Sequence, residues 1–221
     1  MKSRLAVMTM VALAAALVAP GRGAFGAEFA VKPGGANKVV FTSRASIESF
    51  EGKTNRLEGR LTLDPSALGD SFAVHLEVDM ASLDTGIAKR NQHMRENHLE
   101  TAKYPKAIFD GATVLGPAGG GKLEPGKPST FDVAGTFTLH GVSRRIRINA
   151  EATYTPGGKS GATIAFRTTF PVTLADYQIS RPQFLFLKLA ETQEVRVSGV
   201  ATQVAATAAT PAATQAATSA P

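Results

Sequence analysis

From Leu57 to Val197 the chain alternates apolar and polar residues with a period of two, segment after segment, and that pattern admits little besides antiparallel sheet. Leu57, Gly59, Leu61 and Leu63 alternate with Glu58, Arg60 and Thr62; Val74, Leu76, Val78 and Met80 alternate with His75, Glu77 and Asp79. Phe131, Val133, Phe137 and Leu139 share one face, and Ile146, Ile148, Ala150 and Ala152 oppose Arg145, Arg147, Asn149 and Glu151. Ile164, Phe166, Phe170 and Val172 follow, and Val195 and Val197 close the series. Shorter strands are expected at Glu28–Val31, Lys38–Thr42 and Ala107–Leu115, with Asp64-Pro65, the Gly/Pro-rich 116–128 and Pro156-Gly157 as turns. About eight sequential strands, each with one apolar face, close most simply into a barrel without free edges. The fold class expected is therefore all-β: an eight-stranded antiparallel barrel. Such a barrel is either packed solid or wide enough for one small ligand.

One stretch breaks the alternation. Ser82-Leu83-Asp84-Thr85-Gly86 reads as a turn, 87–100 is dense in helix-tolerant polar residues, and Tyr104-Pro105 stops it. A single helical crossover near 87–100 is expected, set between strands. Arg90, His93 and Asn97 fall three and four residues apart and share a face of it, where they would cradle a head group, anchor the helix or face solvent. His140-Gly141 joins two strands tightly and serves the hairpin, with a ligand contact by His140 as the alternative.

Both ends of the chain depart from the pattern. Lys2 and Arg4, the apolar run 5–19, Pro20-Gly21 and the small residues of Ala24-Phe25-Gly26 read as a signal peptide over 1–26, cleaved after Gly26, so the protein is expected in the periplasm or secreted. The apolar run is shorter than a bilayer span, and no stable membrane insertion is expected. Lys2, Arg4 and Arg22 leave with the signal, taking the net charge from +6 to +3. That mild charge, without Trp or a Lys/Arg cluster, argues against nucleic acid. The absence of Cys removes both disulfides and lipoprotein anchoring, so 27–203 must hold itself together by burial and hydrogen bonding. The stretch 204–221 is Ala/Thr/Pro-rich, uncharged and expected to be disordered, as a tether or a dispensable tail.

No catalytic residue emerges: there is neither Cys nor a G-x-S-x-G run. His75, His93, His98 and His140 show no metal-ligand spacing, so no metal site and no cofactor are expected. What remains is the apolar face itself, namely Val74, Leu76, Val78, Met80, Phe131, Val133, Phe137, Leu139, Ile146, Ile148, Ile164, Phe166 and Phe170. These either interdigitate as a core or line a lumen, and the inward Gly59 and Gly135 suggest space.

Leu83-Asp84-Thr85-Gly86, Arg90, His93, Tyr104-Pro105 with Phe109, and the later run from Gly135 through His140-Gly141-Val142-Ser143 together resemble the YceI family. The order and spacing match over about 28–203. Asn91, where that family commonly has Asp, and Asn97-His98-Leu99-Glu100, where paired aromatics are usual, depart from it. The resemblance implies a lipocalin-like periplasmic barrel with a helix over one end that binds a polyisoprenoid or isoprenoid quinone and does no chemistry. On that reading the apolar face is a lipid-binding lumen and Arg90, His93, Asn97 and His140 are its head-group candidates. The alternative is a filled barrel acting through its surface as a structural or stress-related envelope protein. A homodimer through strand-edge pairing is compatible with either.

Overall fold

The computed structural model describes residues 26–44, 49–69, 71–116, 121–157, 161–181, 183–184 and 187–204. The signal-peptide expectation for 1–26 (Gly26 apart) and the tail expectation beyond Val204 lie outside them. The strands are β1 (Ala27–Val31), β2 (Lys38–Arg44), β3 (Ser49–Thr54), β4 (Leu57–Leu63), β5 (Ala73–Asp79), β6 (Lys106–Leu115), β7 (Pro128–Leu139), β8 (Val142–Thr155), β9 (Thr163–Thr173), the short pair β10 (Gln183–Phe184) and β11 (Leu187–Lys188), and β12 (Thr192–Gln203). The crossover between β5 and β6 holds the helix α1 (Ala88–His93), which widens into a π-turn over Met94–His98.

The sheet closes on itself. Every neighbouring pair is antiparallel, in the order β1-β4-β5-β6-β7-β8-β9-β12, and β12 returns to β1 through Val31 opposite Ala201. The hairpin β2–β3 completes the wall above β1 and β4: β2 pairs with β12 over Lys38–Thr42 and with β3 over Val39–Arg44. β1 and β2 are thus one long strand broken at 32–37, and β3 and β4 one strand broken at 55–56, which makes the barrel eight-stranded. Asn37 staples the first break. Its amide donates to the carbonyls of Lys32 (2.7 Å) and Leu57 (3.1 Å) and accepts from the Val200 N–H.

Two glycines on the inner face serve close approach of strands rather than free volume. Gly59 sits at φ +151°, and a methyl there would stand 2.0 Å from the His75 carbonyl oxygen. At Gly135 a methyl would stand 2.4 Å from the Asp110 carbonyl oxygen and 2.8 Å from the Phe109 ring. This corrects the expectation of space at those positions. Opposite Gly135 the register slips by one residue between Gly111 and Thr113, a bulge that bends β6 around the barrel.

The interior divides in two. At one end Phe29, Leu57, Leu61, Leu63, Ile164 and Ala201 are buried together, sealed by Leu68 and Leu123 from the loops that follow β4 and precede β7. At the other end, beneath the helical crossover and the turn at Leu174–Tyr177, Met80, Leu83, Leu139, Val172, Leu174, Tyr177 and Ile179 form a second cluster. We call the first the closed end and the second the mouth.

Candidate functional site: an apolar lumen and its mouth

Between these two clusters lies a cavity of about 100 Å³. Its wall is apolar, built by β4, β5, β6, β7, β8, β9 and β12 because each contributes the inward half of its alternation. Val74, Leu76, Val78, Phe131, Val133, Phe137, Ile148, Ile164, Phe166 and Phe170 all border it. Met80, Leu139 and Ile146 do not. They belong to the mouth cluster, since Met80 lies in the turn after β5, and Leu139 and Ile146 stand above the cavity on β7 and β8. Leu57, Leu61, Leu63, Phe109 and Val197 line the cavity as well. The same period-two signal marks all of these but Phe109, which follows the Tyr104-Pro105 stop.

Several lining side chains keep accessible surface although they face inward: Val74, Leu76, Val78, Phe109, Phe131, Phe166 and Phe170 are only partly buried. In a barrel packed like a protein interior that surface would be lost. The aromatic rings meet edge to face, Phe72 with Phe131 at 6.5 Å and Phe137 with Phe170 at 5.6 Å between centroids. Among the described residues one charged side chain borders the cavity, Arg167, and its guanidinium is drawn outward to Glu151 at 2.8 Å.

Arg167 stands where the wall divides. β8 and β9 pair only from Ala150 opposite Thr168 to Thr155 opposite Thr163, so Val142–Asn149 has no ladder with Thr169–Thr173. The Thr168 hydroxyl donates to the Asn149 carbonyl at 2.6 Å and terminates the ladder. Above it the gap is bridged by the Leu174–Tyr177 turn, whose Asp176 carbonyl accepts from Arg144 Nε at 3.1 Å. Arg144 shares the inward phase of Ile146, whereas Arg145 and Arg147 lie on the opposite face of β8.

The mouth is laced by polar side chains. Asn91 is buried on α1; its oxygen accepts from the Thr85 N–H (2.8 Å) and hydroxyl (2.7 Å), and its amide donates to Asp84 at 2.6 Å. The Gly86 N–H, then Asn91, hold the Asp84 carboxyl below the usual carboxylate range. Arg90 donates to the Thr85 hydroxyl and carbonyl at 2.8 and 2.7 Å and lies 4.1 Å over the Phe50 ring. It therefore anchors the helix to the Ser82–Gly86 turn and to β3. His140, at φ +52°, has Nδ1 3.1 Å from the Tyr177 carbonyl and Nε2 2.8 Å from Glu100, with Tyr104 edge-on. It joins three segments of the mouth. His93 and Asn97 are exposed on the helix, and the His93 ring lies 5.5 Å from that of His98. The four head-group candidates are thus not brought to one point.

Closed antiparallel walls, a helical crossover and a largely apolar interior define a lipocalin-like barrel. The model of the YceI-like domain matches residues 29–204, and the chain belongs to that family. It is 33% identical over 173 residues to a UPF0312 protein of Vibrio parahaemolyticus, covering 76% of this chain and 85% of the relative. A UPF0312 protein of Pseudomonas syringae pv. tomato is 30% identical over 79% of this chain and 88% of its own length. Among solved structures, a polyisoprenoid binding domain from Saccharophagus degradans superposes with a TM-score of 0.62 at 20% identity, covering 81% of this chain and 99% of that one. Burkholderia cenocepacia BcnA follows at 0.60 and 18%, over 75% and 96%. At these identities the two structures speak for the fold. Among the described residues no helix is long and apolar enough to cross a membrane, and no cluster of three His, Asp or Glu is placed to hold a metal ion.

Proposed function

We propose that this protein is an exported, non-catalytic carrier or store that holds a polyisoprenoid or isoprenoid quinone in its lumen. The observation that carries the reading is the inner wall: apolar but for Arg167, whose guanidinium turns outward to Glu151, and Thr168, and still partly accessible at seven inward residues. Each CH₂ moved from water onto such a wall gains about 0.8 kcal/mol, so a methyl-branched chain needs no further chemistry to be held. Export rests on the basic start, apolar run and small residues of 1–26. The binding noted for the Saccharophagus degradans domain, which shares the fold, points the same way.

The free volume sets a condition. About 100 Å³ is less than the roughly 150 Å³ apolar cavity that admits one benzene, so a chain of several prenyl units enters only as the inward rings turn aside. Phe109, Phe131, Phe166 and Phe170 keep accessible surface and are the rings that would have to turn. The same small volume favours a second reading, a filled barrel acting through its surface. Phe166→Trp separates the two. In a filled core the larger ring costs about 1–3 kcal/mol in urea unfolding, whereas a lumen accepts the ring and loses lipid capacity.

The direct test is organic extraction of protein purified from its own compartment, followed by mass spectrometry of the extract. A prenyl lipid or quinone near one per chain is expected. Repeated empty extracts, with no uptake of added prenyl lipid, would overturn the carrier reading in favour of the filled barrel.

A further inference from the structure

We propose that Ser43 and Gln193 form the seat of the ligand's polar head, and that this head is a neutral hydroxyl rather than a phosphate. The inference rests on the carrier reading and deepens it. The β2–β12 ladder ends with Thr42 opposite Glu194, and Ser43 and Gln193 are the next residue of each strand beyond that last pair. Ser43 continues the inward series of Val39 and Phe41, and Gln193 that of Val195 and Val197. Both lie at the mouth end, under the second cluster. Gln193 is four residues, or about 13 Å of strand, above Val197 on the cavity wall.

Both side chains are almost wholly enclosed, Ser43 at 1% and Gln193 at 7% exposure. Among the described residues, the Ser43 hydroxyl and the Gln193 side-chain oxygen have no hydrogen-bond partner. The amide nitrogen of Gln193 donates to the Ala190 carbonyl at 2.6 Å, which fixes the side chain and leaves the oxygen free. Among the described residues, the buried polar side chains of Asn37, Thr54, Thr85 and Asn91 each make at least one close bond. Ser71 carries the other orphaned hydroxyl, but at the closed end beside Leu63, away from the mouth. Two orphans just beyond the last pair of the same two strands are a costly arrangement for a core and an apt one for a ligand.

The chemistry of the pair selects the head. The Ser43 hydroxyl offers one donor and the Gln193 oxygen only an acceptor. An alcohol completes both, accepting from Ser43 and donating to Gln193. A quinone carbonyl uses only the Ser43 donor. A diphosphate would bring several negative charges against one donor and one opposing oxygen. The nearest cation in sequence, Arg44, is exposed and sits 4.0 Å from Glu194 on the outer face. Burying such a charge unpaired is strongly unfavourable.

The test compares geranylgeraniol, geranylgeranyl diphosphate and a hydrocarbon of the same chain by calorimetric titration into the mature protein. The alcohol is expected to bind about tenfold tighter than the hydrocarbon, and the diphosphate more weakly than the alcohol. In Ser43→Ala/Gln193→Leu the preference for the alcohol should vanish while the empty protein melts at a higher temperature. A pair serving only to hold β2 against β12 would lower that temperature instead. Equal binding of alcohol and hydrocarbon by the wild-type protein, or tighter binding of the diphosphate, would overturn the head-group seat and leave the carrier standing. Failure of all three to bind would remove the carrier and the seat together.

Discussion

The two ends of this barrel are held by different physics. At the closed end the ladders are complete: β1 is paired on both sides, β8 is zipped to β9, and Phe29, Leu57, Ile164 and Ala201 are nearly inaccessible. At the mouth the β8–β9 ladder is missing, and Asn91, Arg90, His140 and Arg144 tie the segments together through side-chain hydrogen bonds. Among the described residues, the three non-glycine positions at positive φ are Glu100, His140 and Gln178, and all of them lie at the mouth. Apolar burial is lost only by exposing surface, whereas a hydrogen bond can be exchanged for water at a net change of about 1 kcal/mol. One end is built to stay shut, and the other can open without unfolding the domain.

That contrast makes graded predictions. Ile164→Ala removes a buried side chain at the closed end and should cost about 2–5 kcal/mol, read as a lowered urea midpoint for the whole domain. A cost below 1 kcal/mol would mean the closed end is no better packed than the mouth. Asn91→Ala strands the Thr85 N–H and hydroxyl and should cost about 2–3 kcal/mol. Its signature in hydrogen exchange is faster opening over 83–104, with 57–63 unchanged.

Acidification should act on the mouth. Burial, aided by the nearby His93 ring, lowers the pKa of His98, against the hydrogen bond to the Ser180 carbonyl. The folded state therefore binds fewer protons than the unfolded one through that range. The stabilisation is present above the ordinary histidine value of about 6.5 and is lost as pH falls through the lower, folded value. Exchange of the 94–101 amides, corrected for intrinsic rates, should quicken between pH 7.5 and 5 more than that of 199–203. An equal change at both ends would erase the distinction. The smallest effect belongs to the surface: Arg60→Ala breaks an exposed pair with Glu28 at 2.6 Å and should shift stability by no more than about 0.5 kcal/mol.

Much of this architecture is legible in the sequence because alternation is a direct imprint of the pleat. The strands β4, β5, β7, β8, β9 and β12, and the crossover between Ser82 and Tyr104-Pro105, follow from it. β3 is not readable that way: Ser49–Thr54 has a single large apolar residue, Phe50, whose ring is spent on Phe41 and Arg90. The helix is shorter than its composition suggests, six residues before the π-turn, because Arg95 and the following residues bend to meet the Ala81 carbonyl and the mouth. For the site, alternation tells which side chains face inward but not whether they meet. The free space depends on strand separation, which no single strand encodes. Arg90 shows the converse limit. Its spacing from His93 and Asn97 is visible in the sequence, whereas Thr85 and Phe50, which occupy its guanidinium, come together only through the hairpin and the turn.

The seam that closes the wall carries a consequence for how the chain folds. It joins Val31 to Ala201 and Phe29 to Gln203, so the first strand finds its outer partner only when the last one exists. A closure of that sequence separation carries a large loop entropy and belongs late in the folding reaction, slow by the standard of local hairpins. Until β12 has emerged, β1 and β9 remain open edges with apolar inner faces in view of the solvent. A chain of this topology stays unfinished for as long as its final dozen strand residues are withheld.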